Sequence, residues 1–554
     1  MSRRDQERLV SRRQFVKSAA AGAALGAAAL YGGALLTGCS GKGADDGKAE
    51  ARQSQAQQPE LSWAKEADVV VLGTGTIFTA ALAAHDAGAK VLMLEKAPTF
   101  GGTTATSGGG MWIPNNFLMK QDGVADSREK AVAYMKRAAE GQSEDRLIET
   151  YVDKAPEMLE YLRDKCGFVF ERDQTPTPRF AEYYPYDGFV ISRSVYTTPR
   201  GGKALMEFAK KAVDQRGIEV LFNTPAKRLI TNGQGEVIGV VAEMNGREVN
   251  IKARRGVVIG TGGFEWNQEL VRHYLRAPIF WSVTAPTCTG DGLLMGMAVG
   301  ADLRNMNECW GLPGYKPNPD AWTGEADWQM FRGKPGCIVV NRHGERFGNE
   351  STNYDAFIKA FQTYDTGTFE WRNIPGFAIF DSGYAKRYPL PGSGYQVGVV
   401  PDWITVADTL EELAEKLGIN PEGLRATVDR FNENARNGVD PDWHRGETTF
   451  DQFTAGDLTR TDLKNPCLAP LEEGPFYGAA IWPGTCGTNG GLRINENAQV
   501  LSVWGKPIPR LYCSSNTAAN VFGVAYPGGG SCLGSGMTFG YIAGRHVASL
   551  QPWG

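Results

Sequence analysis

Gly73-Thr74-Gly75, with Glu95 placed 20 residues after Gly75, is a set of residues whose types and spacing do recognisable chemistry. Two glycines in a tight turn let backbone N–H groups face a pyrophosphate at a helix N-terminus. A carboxylate about 20 residues on accepts bonds from a ribose hydroxyl. A second loop, Gly101 to Gly110 (G-G-T-T-A-T-S-G-G-G), offers small residues and hydroxyls soon after the acid, and Arg255 to Gly263 (R-G-V-V-I-G-T-G-G) again ends in glycines. Several distant glycine-rich loops around one ligand suit FAD better than NAD. Other chemistries find less support. The nine cysteines form no C-x-x-C or C-x-x-C-H, so neither attached haem nor an iron–sulfur cluster is indicated. The five histidines are scattered, and no metal site is expected.

These residues need elements to position them. Ala67 to Leu72 is a short apolar run suited to a buried parallel strand, Thr76 to Ala87 reads as a helix, and Lys90 to Leu94 reads as a second strand ending at Glu95. This strand–turn–helix–strand–acid order is far more specific than a bare glycine pattern. The third glycine of the fingerprint, whose task is close helix–strand packing, is replaced by Phe78, which is expected to push the helix slightly outward. Val220 to Ala226 and Glu236 to Val249 alternate like strands of a small sheet. At 554 residues, 42% hydrophobic and 22% charged, the chain has room for two or more ordinary globular domains.

The N-terminal segment has a separate logic. Ser11 to Lys17 (S-R-R-Q-F-V-K) has the form of a twin-arginine export signal, and an Ala/Gly-rich apolar stretch leads to Leu36-Thr-Gly-Cys39, a lipoprotein-type processing site. Residues 1–38 are thus expected to be removed, with 39–62 a polar linker. The expected location is the extracytoplasmic side of a membrane, anchored through lipid on Cys39. The whole chain carries 58 basic and 62 acidic residues. Residues 1–38 hold six of the basic and two of the acidic ones, so the remainder is acidic, and no nucleic-acid partner is expected.

The chain resembles the 3-ketosteroid Δ1-dehydrogenases, within the fumarate-reductase-like flavoproteins. The resemblance is carried by G-G-T-T-A-T-S-G-G-G-M-W-I-P-N-N (101–116), C-I-V-V-N-R-H-G-E-R-F-G-N-E (337–350), G-T-N-G-G-L-R (487–493) and A-Y-P-G-G-G-S-C-L-G-S-G-M-T-F-G-Y (525–541). It implies an α/β fold: a discontinuous Rossmann-like FAD domain (63–275 and 465–554) with an α+β catalytic domain inserted at 276–464. The expected reaction takes a hydride from C1 and a proton from C2 of a 3-keto steroid and passes electrons on to a membrane-associated or soluble carrier.

By the same resemblance Tyr526 and the backbone N–H of Gly530 bond the C3 oxygen, Tyr354 abstracts the proton, and Tyr183 assists it, with Tyr184 or Tyr186 as alternatives. A phenol ionises near pH 10, so a tyrosine base must be depressed by its neighbours or act late in the transition state. The cofactor contacts expected are Gly73, Gly75, Thr76, Glu95, Lys96, Gly102, Thr103, Thr104, Ser107, Gly108, Gly109, Ala226, Thr261, Gly262, Asn516 and Leu533. No histidine lies in the 101–110 loop, so the FAD is expected to be non-covalent. Trp281, Trp310 and Phe331 are candidates for an apolar substrate pocket, and His343-Gly-Glu-Arg346 reads as a hairpin turn. The competing readings are an exported reductase of an activated alkene and a flavin-carrying binding protein without turnover.

Overall fold

The computed structural model describes residues 61–173 and 182–554. The segment expected to be an export signal, Cys39 and nearly all of the expected linker lie outside the described residues. Strand β1 (Trp63–Leu72) alternates half-buried and exposed over Trp63–Glu66 and is wholly buried over Ala67–Leu72. The turn Gly73–Ile77 leads into helix α1 (Phe78–Asp86) and strand β2 (Val91–Leu94), which pairs parallel to β1. Strand β3 (Glu219–Leu221) adds to β2, and β4 (Ala226–Thr231), β5 (Val237–Met244) and β6 (Arg247–Ile259) follow. The alternating segments therefore do not make a separate small sheet. The 13-residue β6 pairs with β5 through Arg247–Lys252 and runs parallel to β1 along most of its length, so the hairpin is an extension of the main sheet.

A second sheet is antiparallel. It contains β7 (Cys309–Gly314), β8 (Cys337–Val340), β9 (Gly376–Phe380), β10 (Thr405–Ala407) and β11 (Phe476–Thr488), in the order β7-β11-β9-β8 with β10 also on β11. Helix α2 (Tyr354–Lys359) lies between β8 and β9 in sequence. Its central strand, β11, lies beyond residue 464, so sheet pairing does not stop at the boundary expected from sequence. Leu61–Gly554 form one compact unit.

The chain then returns to the first sheet with β12 (Gln499–Leu501) and β13 (Pro507–Cys513), which completes the order β12-β13-β6-β1-β2-β3. It ends in helix α3 (Ser531–Ser549). Gly536, Gly540 and Gly544 recur every four residues on one face of α3. A Cβ at these positions would lie 2.5 Å from Thr76 Oγ1, 2.4 Å from Thr79 Oγ1 and 2.3 Å from the Ala80 carbonyl oxygen. That stripe brings α3 against α1, and Thr79 fixes the contact by donating to the Met537 carbonyl at 2.8 Å.

The missing fingerprint glycine is replaced from elsewhere. Ile77, at the start of α1, fills the space over Gly260, where a Cβ would come within 2.4 Å of the isoleucine. Phe78 is fully buried and stacks on Phe168 at 5.9 Å. The close approach of helix and strand is thus made at Gly260, and Phe78 joins an aromatic cluster with Phe168, Phe170 and Phe208.

Candidate active site

The ends of β1, β2 and β6 open on one cavity of about 580 Å³. Its wall contains Gly73, Gly75, Thr76, Glu95, Lys96, Gly102, Thr103, Thr104, Ser107, Gly108, Ala226, Thr261, Gly262, Asn516 and Leu533. Gly109, also expected there, is not in the wall. It has φ +71°, and a Cβ would lie 2.4 Å from the Gly201 carbonyl carbon, so its task is to let two backbones meet. Thr74 is a wall residue not foreseen, though it sits inside the fingerprint. Its hydroxyl donates to Glu95 Oε2 at 2.5 Å and accepts from the Gly101 N–H at 2.9 Å, joining the first turn, the acid and the second loop.

The wall fits FAD. Gly73 holds φ +101°, and a Cβ there would lie 2.3 Å from the Gly260 carbonyl oxygen, so only glycine brings this turn so close to the strand ends. Thr76 Oγ1 is buried at the cavity without a hydrogen-bond partner among the described residues, as a phosphate-facing hydroxyl would be. Glu95 spends two acceptor sites on Thr74 and the Ala97 N–H, which leaves capacity for ribose hydroxyls. Lys96 is held by Asp291 at 2.9 Å.

Three tyrosines meet at the same cavity. The Tyr183 ring lies 5.7 Å from Tyr354 and 5.5 Å from Tyr526, and Tyr354 and Tyr526 are 5.6 Å apart. Tyr354 and Tyr526 are in the cavity wall, whereas Tyr183 stands behind them with its hydroxyl buried and unpartnered. Tyr184 and Tyr186 instead stack on each other at 5.2 Å. Three separate segments supply the cluster, and hydrogen bonds tie them together. The Tyr183 N–H donates to the Pro527 carbonyl at 3.1 Å, and Asn353 Nδ2 donates to the Tyr183 carbonyl at 3.4 Å while its Oδ1 caps α2. Gly530, at φ +93°, is the residue before α3, and a Cβ would lie 2.3 Å from the Gly110 carbonyl carbon. It packs behind the wall formed by Tyr526, Cys532 and Leu533 and is not itself a wall residue.

Burial raises all three phenols well above the ordinary tyrosine value, and the neighbouring phenols Tyr183 and Tyr526 add to the effect at Tyr354. The surroundings supplied by the protein therefore do not depress the base. They keep the phenols neutral, so each retains a hydroxyl proton to donate. Beside them, burial pushes Glu182 up to about 7 despite Arg193, and Asp355 up to about 6 despite Lys359 and the Gly311 N–H. The wall also contains Glu265, Cys486, Asp327 and Tyr395, which no motif singled out.

Of the apolar candidates, Trp310 packs its ring edge-on to Tyr526 at 5.0 Å. Trp281 is fully buried under Gly314, Gly324 and Gly484 and belongs to the core, and Phe331 packs on the wall residue Tyr395. His343 lies in the turn from Asn341 to Gly344, with Val340 and Arg346 bridged across it. No group of histidine, cysteine or acidic residues suited to a metal ion occurs among the described residues.

Residues 68–533 match the FAD binding domain family. The chain is 34% identical to the 3-oxosteroid 1-dehydrogenase of Mycolicibacterium smegmatis, over 88% of this chain and 98% of that protein. It is also 34% identical to the 4-oxocyclohexanecarboxylate 2-dehydrogenase of Sinomonas cyclohexanicum, over 87% and 92%. The crystal structure of the 3-ketosteroid Δ1-dehydrogenase of Sterolibacterium denitrificans, in complex with 1,4-androstadiene-3,17-dione, superposes with a TM-score of 0.81 at 31% identity, covering 88% of this chain and all of that one. With its dinucleotide wall and tyrosine cluster on one cavity, the chain belongs to the 3-oxosteroid 1-dehydrogenase family of FAD-dependent oxidoreductases.

Proposed function

We propose that the protein removes the C1 and C2 hydrogens of a 3-keto steroid. The observation that carries this reading is the convergence of Tyr183, Tyr354 and Tyr526 at a cavity whose wall also fits FAD. The neutral phenol of Tyr526 donates to the C3 oxygen and acidifies the C2 proton. Tyr354 takes that proton as it leaves carbon while its own phenolic proton passes to the Tyr183 oxygen, whose hydroxyl proton leaves toward solvent, so that neither phenol ends with an extra proton. Because burial opposes a standing phenolate, Tyr354 acts late, when the carbon acid is already polarised. FAD, when bound, supplies the acceptor for the C1 hydride. Gly530, which is not in the cavity wall, shapes the Tyr526 loop through its close approach to Gly110.

The test is anaerobic. Adding a 3-keto-4-ene steroid to the yellow holoenzyme should bleach the flavin and yield the 1,4-diene. Bleaching only by a low-potential reductant, followed by electron delivery to activated alkenes, would replace this reading with a reductase. The proposal extends to location: export in folded, FAD-loaded form, lipid anchoring at Cys39, and reoxidation by a carrier outside the cytoplasm. The twin-arginine and lipoprotein-type sequences support it.

A further inference from the structure

The cavity has an electrostatic asymmetry that the proposed reaction does not use. Its wall contains the carboxylates of Glu95, Glu265, Asp291 and Asp327. Lys96 is its one cation among the described residues, and that lysine is engaged by Asp291 and by the Thr289 hydroxyl. No arginine or histidine lines it among the described residues.

Asp327 stands apart from the FAD-type contacts. Strand β7 places Trp310 on Tyr526, Leu312 in the cavity wall, and Tyr315 just beyond its end. The Tyr315 hydroxyl donates to Asp327 Oδ1, and Tyr315 is itself buried and stacked on Trp403 at 4.7 Å. Five residues of extended chain, about 16 Å, separate the residue on Tyr526 from the residue that holds Asp327. Ala326, Gln329 and Tyr395 share the wall with Asp327. A rigid, elongated ketone with its carbonyl at Tyr526 and its body along Leu312 would present its remote end to this carboxylate.

We propose that Asp327 is a specificity-determining residue, accepting a hydrogen bond from a hydroxyl at the end of the substrate remote from the ketone and excluding substrates with a carboxylate there. Tyr315 is its positioning residue. The inference rests on the 3-keto steroid reading and deepens it. It separates this chain from any relative whose substrate carries a carboxylate, since an acid entering here meets like charge without a free cation.

The experiment compares two steroids with one 3-keto-4-ene skeleton, bearing either a 17β-hydroxyl or a 17β-carboxylate, on the holoenzyme with an artificial electron acceptor. The native enzyme should favour the hydroxyl by at least tenfold in kcat/KM. Asp327→Asn should cut that preference at least tenfold, chiefly through KM, and Asp327→Lys should favour the carboxylate. Tyr315→Phe should give an intermediate ratio. Equal use of both steroids by the native enzyme overturns the proposal without any variant, and so does an unchanged ratio in a folded Asp327→Asn. If neither steroid reduces the flavin, the steroid reading fails and takes this inference with it. If the hydroxysteroid turns over and the ratio fails, only the role of Asp327 falls.

Discussion

Tyr526 and Tyr354 share one environment and are expected to fail differently. Tyr526→Phe keeps the ring on Trp310 and removes one donor to the developing oxyanion, which typically costs about 10²–10³ in rate. Tyr354→Phe should remove proton transfer while steroid still binds and perturbs the flavin spectrum. Solvent-deuterium exchange at C2, measured beside flavin reduction, separates the two, and near-normal reduction by Tyr354→Phe would refute its role. Asp355, next to Tyr354, makes a pH prediction. Its Oδ1 accepts from the Gly311 N–H at 3.1 Å, while its Oδ2 is buried without a partner. Burial raises its folded-state value from 3.8 to about 6, so its favourable contribution is full below about pH 4 and is lost as pH rises through 6. Asp355→Asn keeps the acceptor and removes the charge. It should be more stable than the native protein above pH 6, by up to roughly 3 kcal/mol, and equal to it near pH 4. Thermal melts of the holoenzyme across that range check the sign.

The element that connects the tyrosines is α2, and Asn353 is its joint. One side-chain atom accepts the Ala356 N–H at 2.8 Å and the other donates to the Tyr183 carbonyl. Asn353→Ala loses both bonds and should cost about 1 kcal/mol through the cap alone, with a further loss in kcat. Asn353→Asp keeps the cap but has no amide to reach Tyr183. Stability near native with depressed kcat in Asn353→Asp would assign the second bond to positioning. Equal stability and equal kcat in all three proteins would deny the joint any role.

For the whole molecule, the support beneath α2 is an ionic network in the interior of the second sheet. Arg346 bonds both oxygens of Glu350 and both of Asp440, while Arg445 reaches Glu350, Ser351 and the carbonyls of Gly333, Lys334 and Cys337. Burial opposes ionisation of Glu350, yet the two arginines hold it below the usual carboxylate range. Its contribution is therefore present above about pH 4.5 and is lost as pH falls. Removing one member leaves buried charge uncompensated, so Glu350→Gln should cost about 3–5 kcal/mol in denaturant unfolding and narrow the gap to native protein in acid. The proposed location gives a separate test at this scale. Replacing both Arg12→Lys and Arg13→Lys should strand active enzyme in the cytoplasm, and Cys39→Ala should block lipidation. Native protein found there uncleaved would refute export.

The sequence by itself determined the dinucleotide turn, the acid at the end of the second strand and the glycine-rich loops, because these act through local backbone geometry and fixed spacing. Fifteen of the sixteen expected cofactor positions lie in one cavity wall for that reason. It also marked Tyr354 and Tyr526 through their motifs. Tertiary structure decided the rest. Tertiary packing sets the Tyr183 ring, and not that of Tyr184 or Tyr186, against Tyr354 and Tyr526, with its loop bonded to Pro527 and Asn353. The close packing that the third glycine would give is made by Gly260, just past the end of β6, and β11 pairs with strands on the other side of the expected domain boundary, far away in sequence. Asp327 sits in a stretch with no motif and gains meaning only from Tyr315 and the cavity. Burial, which no spacing reveals, pushes the phenols above the ordinary tyrosine value.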